Sequence, residues 1–317
     1  MKAGLIINPG AARGNRPGLA LASRLEPTGQ VEVGILERFE ALPEMLASMG
    51  RAGVTDLFIS SGDGTVQAIQ TELAERNPFP VVPRLYLLPH GSTNMTAADV
   101  GLRAKSMDQQ AALMFDPQPA IVEWRPSLRI VNASDGVVRH GMFMGAGAIS
   151  AASRYCQEAF HARGRTGNWP LIYTLGGSVL RSILGISSKS GQDRIDRPYP
   201  MAVSADGETL GSGAQLLMLL TTLDKLVLGT RPFREGGEGA IRCTILPYPT
   251  PMLLRWTLPI LYGSPKSAPP PGMVSQRGAT FSIQAEGGYL LDGQFFEGPA
   301  EGPLVVETGP KFAFVRG

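Results

Sequence analysis

Cysteine is nearly absent: the 317 residues hold two, Cys156 and Cys243, and neither belongs to a Cys-x-x-Cys pair. That spacing excludes a disulfide framework and leaves reduced, buried thiols in a cytosolic protein as the expectation. A surplus of charge is missing too, with 29 Lys+Arg against 27 Asp+Glu and a formal net charge of +2. Without a broad basic field no nucleic-acid partner is expected, and any anion must be met locally. No apolar run approaches the roughly 20 residues of a membrane-spanning helix. The opening "MKAGLIINPG" offers one lysine and a short apolar run broken at Pro9, too little for a signal peptide and suited to a first strand. The three histidines, His90, His140 and His161, lack metal-ligand spacing, which argues against a zinc site.

With 43% hydrophobic and 18% charged residues the chain can bury a sizeable core, and its length favours two domains. In the first third, apolar strand-like runs alternate with helical patterns: "AGLIINP", "LALASRL", "VEVGIL", "LPEMLASMGRAG", "DLFISS", "VQAIQTELAER", "RLYLLP". Such alternation predicts a parallel sheet covered by helices. From about Ile121 the texture becomes short alternating runs split by Gly, Pro, Asn and Asp, which predicts antiparallel strands. A helical stretch from Ile149 to Gly185, with Ile172, Leu175, Val179 and Ile183 on one stripe, interrupts it. The domains expected are 1–122, then 123–300, with 301–317 as a strand returning to the first.

The chemistry gathers where strand patterns turn into helix patterns. After "DLFISS" comes Gly62-Asp63-Gly64-Thr65, and Val66, Ile69 and Leu73 follow at spacings of three and four. The hinge therefore lies at the carboxyl end of a strand, where ligands of open α/β sheets bind and loop amides meet phosphates. Glycines let backbone approach an anion, Thr65 can donate a hydroxyl bond, and Asp63 is held at the rim. The plain alternative is a capping aspartate beside a glycine turn. One βα unit later "RLYLLPHGSTN" repeats the design with Gly91, Ser92, Thr93 and Asn94.

Together with "INPGAARG" from Ile7, the pair "SGDGT" and "PHGSTN" resembles the catalytic domain of the diacylglycerol kinase family, which includes bacterial lipid kinases, sphingosine kinases and ceramide kinases. Looser similarity continues through "AIVEWRPSLRIVNAS", where Glu123 stands at a frequent Asp, "GMFMGAGAI", "GEGAIRCTIL" and "YLLDGQFFEG". The resemblance implies an α/β plus β fold: a Rossmann-like N-terminal domain of the NAD kinase/diacylglycerol kinase type, then a C-terminal β-sandwich carrying a helical insertion, with the site in the cleft between them. It implies that Asn8, Gly62, Asp63, Gly64, Thr65, Gly91, Ser92, Thr93 and Asn94 meet nucleotide phosphates, with Asp292 and Gln294 opposite. ATP and Mg²⁺ would be the cofactors, with the metal ligands unassigned. Asp63 is the first choice for general base and Asp292 the second.

Departures from the family pattern bear on these roles. The usual D-G-E reads Asp292-Gly293-Gln294, and an amide neither takes a proton nor binds metal well. Ser150 stands near a common Asp, and the second loop reads G-S-T-N rather than G-T-G-N. Phosphofructokinases and NAD kinases share the first glycine motif, but no asparagine here precedes Glu, as an NAD kinase's Asn-Glu motif requires.

A lipid acceptor requires contact with a bilayer. Between Ala151 and Pro200 seven Lys/Arg face three acids, and "PMLLRWTLPILYG" offers an apolar wall or an anchor through Trp256. The expected setting is cytoplasmic, peripheral to the inner face of the membrane, with a lipid substrate and a homodimer among the states to test. The opposing readings are a catalytically impaired lipid-binding protein and a soluble NAD or sugar kinase.

Overall fold

The computed structural model describes residues 1–104, 106–118, 121–151, 197–250 and 252–316. They divide into two compact units: Met1–Ser127 with Lys225–Val227 and Pro310–Gly317, and Leu128–Asp224 with Leu228–Gly309. Apart from the short return at Lys225–Val227, the chain changes unit at Leu128 and Pro310, against sequence-based boundaries at 123 and 301. Both changes fall inside single strands, β5 (Ile121–Ile130) and β15 (Leu304–Arg316), and composition carries no mark in mid-strand.

The first unit is the expected Rossmann-like sheet. Strands β1 (Ala3–Ile7), β2 (Glu32–Ile35), β3 (Asp56–Ser61) and β4 (Arg84–Pro89) run parallel in the order β4-β3-β1-β2, with Leu5 opposite both Val33 and Phe58, and Phe58 opposite Tyr86. β1 and β3 are buried along their whole length, as the unbroken apolar runs require of strands covered on both faces. Helices α1 (Arg16–Leu25), α2 (Leu42–Arg51), α3 (Asp63–Glu75), α4 (Met95–Val100) and α5 (Met107–Phe115) complete the alternation. On α3 the sequence-derived stripe Val66, Ile69 and Leu73 is buried.

At the amino end of this sheet Asp56 is fully buried and takes Arg84 through Nε and Nη2, both at 2.8 Å, and the Tyr86 hydroxyl at 2.9 Å. A buried carboxylate satisfied by these three donors and by the Thr55 hydroxyl at 2.7 Å fixes the register of β3 against β4 and leaves the opposite, carboxyl end for ligands. The end of β15 adds a parallel neighbour to β4 through Phe314 and Leu85. Glu123 ion-pairs with Arg125 and, at 2.8 Å, with Arg316, so it ties β5 to β15.

The second unit is antiparallel around one core. β9 (Glu208–Thr221) pairs along its first part with β8 (Tyr199–Ala205); its last part lies between β7 (Phe143–Gly147) and β10 (Ile241–Pro247). β12 (Thr280–Ala285) joins β8 to the first part of β15, and β13 (Tyr289–Leu291) joins β7 to β14 (Gln294–Phe296). Met144, Met218, Leu220, Cys243, Phe281 and Leu291 lie at the centre of that core, and Cys243 is a free, buried thiol. A helix beginning at Ala148 reaches the limit of the described residues at Ala151. The predicted helical stripe, Cys156 and most of the basic insertion lie outside the described residues.

Candidate active site

Three loops at the carboxyl ends of β1, β3 and β4 meet within the first unit, and side chains knit them together. Asn8, directly after β1, donates from Nδ2 to the Thr65 hydroxyl at 2.9 Å and accepts the Gly10 amide at 2.8 Å. The Ser61 hydroxyl also donates to Thr65 Oγ1, at 2.6 Å. Thr65 therefore accepts twice, and neither bond uses its own proton.

The two glycine loops touch backbone to backbone. A Cβ on Gly91 would lie 2.2 Å from the Gly62 Cα and 2.7 Å from its nitrogen, closer than real atoms come. Gly62 is extended, at φ −96° and ψ 176°, and a Cβ there would meet Gly91 Cα at 3.4 Å, so the close approach demands glycine at 91 and not at 62.

Asp63 is the first residue of α3 and is 9% exposed. Its two oxygens accept the Met95 amide at 3.0 Å and the Thr96 amide at 2.9 Å, the first turn of α4. The N-cap residue of that helix, Asn94, sits in the left-handed region at φ 49° and turns its side chain back to Gly91: Oδ1 accepts the Gly91 amide at 2.7 Å, and Nδ2 donates to the Gly91 and Pro89 carbonyls. Asp63 thus caps a helix belonging to the other loop. Burial pushes its carboxyl above the usual aspartate range, and the Thr96 and Met95 amides oppose that rise without cancelling it.

The backbone N–H groups of Gly64, Ser92 and Thr93 have no acceptor among the described residues. Gly64 lies in the first turn of α3, where free amides and the helix dipole both favour negative charge. Ser92 is exposed and Thr93 half-buried beside it in sequence. Asn8, Gly62, Asp63, Gly64, Thr65, Gly91, Ser92, Thr93 and Asn94 thus belong to one connected set of loops, chemically suited to an anion.

Sequence reasoning missed what anchors this set from beneath. Asn15, fully buried at φ 45° as N-cap of α1, accepts the Gly18 amide and donates to the Asn8 carbonyl at 3.0 Å and the Ser60 carbonyl at 2.6 Å. The Ser60 hydroxyl donates to Asn15 Oδ1 at 3.1 Å and lies 2.8 Å from His90 Nδ1. Its single proton is spent on Asn15, which assigns the donor role to His90 Nδ1–H and leaves Nε2 a lone pair. Burial also lowers the His90 pKa, in keeping with a neutral ring. The available signal was Asn15 just ahead of Pro17, an N-cap before an early helical proline.

Asp292 and Gln294 belong to the second unit. Asp292-Gly293 forms the hairpin turn between β13 and β14, with φ 45° and 86°. Asp292 is 2% exposed and accepts the amides of Met142 at 2.8 Å and Phe143 at 2.9 Å. Asp206-Gly207, between β8 and β9, repeats the device at φ 49° and 90°: Asp206 accepts the Ala279 and Thr280 amides. Gln294 is half-buried on β14, and Ser150 donates to the Gly147 carbonyl at 3.0 Å. Among the described residues no three His, Cys, Asp or Glu side chains gather as a metal would require.

Residues 2–121 match the family described as diacylglycerol kinase catalytic domain. No curated protein matches the chain. Among solved structures, a candidate diacylglycerol kinase from Bacillus anthracis str. Sterne superposes with a TM-score of 0.65 over 96% of this chain and 93% of its own, at 14% identity. Another structure described in the same terms, from the same organism, gives 0.64 over 100% and 97%, also at 14% identity. At such identity the likeness is one of fold, and it extends through both units. The family similarity of this chain is thus to the diacylglycerol kinase catalytic domain, and it covers residues 2–121.

Proposed function

We propose that the protein is an ATP-dependent lipid kinase that transfers the γ-phosphoryl group of ATP to the primary hydroxyl of a neutral membrane lipid of the diacylglycerol or ceramide class. The observation that carries the reading is the backbone contact of Gly62 with Gly91, which draws the unpaired amides of two family loops into one set. Phosphoryl transfer requires little more of a protein than placing charge and reactants. The Gly64, Ser92 and Thr93 amides would receive phosphate oxygens, and the uncommitted proton of Thr65 adds a donor. Asn8 and Asn94 hold the loops in shape.

In the transfer the acceptor oxygen bonds to the γ-phosphorus, the bond to the β,γ-bridging oxygen breaks, and ADP leaves. The acceptor's proton passes to a carboxylate. We assign it to Asp63, whose raised pKa favours taking up a proton. Asp292 is assigned to holding β7, because both its oxygens serve amides of that region. Mg²⁺ enters this proposal as the companion ion of ATP, with its protein ligands unassigned.

A panel of diacylglycerol, ceramide and sphingoid base in mixed micelles, with γ-labelled ATP and Mg²⁺, tests the reading. One labelled phospholipid is expected, lost in Asp63→Asn without loss of folding. Lipid binding with no turnover would overturn it and favour the impaired-enzyme reading, for which Gln294 in place of a carboxylate speaks. Activity on a soluble acceptor without micelles would point to a sugar or nucleotide kinase instead.

A further inference from the structure

A helix that is apolar all round is normally buried all round. Helix α6 (Leu253–Tyr262) is apolar but for Arg255 and Thr257, yet it keeps large apolar residues exposed. Leu253 and Trp256 pack against the core of the second unit and Ile260 is 5% exposed, so the tryptophan expected from sequence as an anchor faces inward. On the opposite side Met252, Leu258 and Tyr262 are 64%, 68% and 53% exposed, with the exposed Arg255 among them. At 3.6 residues per turn Arg255, Leu258 and Tyr262 share one face, and the N-cap residue Met252 is exposed just ahead of them in the chain.

The helix is held firmly. Arg234, 3% exposed, crosses its carboxyl end and donates to the Pro259 carbonyl, with Nη1 on the Phe233 carbonyl at 3.0 Å. A cation at that end complements the helix dipole. The exposed face is therefore a fixed apolar surface and not a fraying end.

Charge decides what covers it. From Gly239 to Ala285 there is no Asp or Glu, and Arg255 and Lys266 are exposed. The acid Glu235 lies beside this stretch, its amide on the Pro265 carbonyl at 2.7 Å, outside α6 itself, whose one charge is Arg255. A second copy meeting this face across a two-fold axis would bring cation against cation. An anionic bilayer offers the opposite sign together with acyl chains for the apolar residues. Ten residues are too few to cross a membrane, and among the described residues no helix is long and apolar enough to do so.

We infer that the Met252–Tyr262 face is the surface by which the protein docks on anionic lipid bilayers, with α6 lying flat in the headgroup layer. The inference rests on the lipid-kinase reading for its purpose but not for its test. Full-length protein is sedimented with vesicles of phosphatidylcholine alone and with added phosphatidylglycerol. At least tenfold preference for the anionic vesicles is expected, reduced about tenfold by Leu258→Asp at an unchanged melting temperature. Arg255→Glu should abolish the preference while keeping the fold. In detergent micelles, where no bilayer has to be found, Leu258→Asp should phosphorylate a short-chain lipid at the wild-type rate. Wild-type protein that ignores vesicles overturns the inference, as does Leu258→Asp binding unimpaired or merely splitting a dimer. Leu258-dependent binding without kinase activity in micelles would sustain the docking face and refute the kinase.

Discussion

Replacing Gly91 by alanine tests the loop contact most directly. The new Cβ would start 2.2 Å from the Gly62 Cα, whereas ordinary contact begins at 3.4 Å, so the loops must part by the difference, about 1.2 Å. Both partners are backbone, so no side-chain rotation relieves the clash. Overpacking of this kind costs about 1–3 kcal/mol, and each kcal/mol lowers the melting temperature of a medium-sized domain by about 2–4 °C. The kinetic penalty should be larger, since misplacing reacting groups by about 1 Å costs on the order of 100-fold in rate. Gly62→Ala is the control: its Cβ would meet Gly91 Cα at 3.4 Å and the Ser92 nitrogen at 3.9 Å, on extended backbone that alanine readily adopts. That variant should melt within a degree or two of wild type, while its methyl group, placed on the phosphate side, weakens ATP binding. Calorimetry and initial-rate kinetics over a range of ATP concentrations read both effects. If Gly91→Ala matches Gly62→Ala in stability and wild type in kcat/KM, the close contact has no functional weight and the reasoning fails.

Asp63 makes a prediction with a sign. Because its folded pKa is raised, its contribution to stability is greatest below the unfolded value near 3.8 and declines as pH rises through the folded value. The stability of wild type minus that of Asp63→Asn, from denaturant melts, should therefore fall between pH 4 and pH 7; a rise would refute the shift. Asp292→Ala strands the buried Met142 and Phe143 amides and should cost about 2–6 kcal/mol of unfolding free energy, since each orphaned buried group costs about 1–3 kcal/mol; unchanged stability would show that the carboxylate is free for other work. Nitrogen NMR of the imidazole should find His90 as the Nδ1–H tautomer at neutral pH, and Ser60→Ala should lose that tautomer bias. An Nε2–H ring would mean that Ser60 turns its proton to His90 instead.

Much of the first unit could be read from the chain because its strands are buried on both faces and so appear as unbroken runs such as "DLFISS". The loops were found through their glycines, of which Gly91 faces a backbone contact that admits no Cβ. What escaped notice depends on distances through space: Asn15 and Ser60 are 45 residues apart and carry no motif, yet they hold the floor of the site. Asp292-Gly293 was read as chemistry on the strength of its resemblance, and the same two letters at Asp206-Gly207 form the same turn without any such resemblance. Trp256, which the sequence offers as part of an apolar wall or as an interfacial anchor, packs against a core.

The carboxylate of Asp63 finishes a helix that another strand delivers. The two glycine loops are accordingly inseparable parts: a chimera that imports only "SGDGT" or only "PHGSTN" from a relative brings a cap without its helix or a helix without its cap. Residues 63 and 94–96 should therefore be exchanged as one unit, and a double-mutant cycle between Asp63 and Asn94 should show strong non-additivity even though the two stand in different loops.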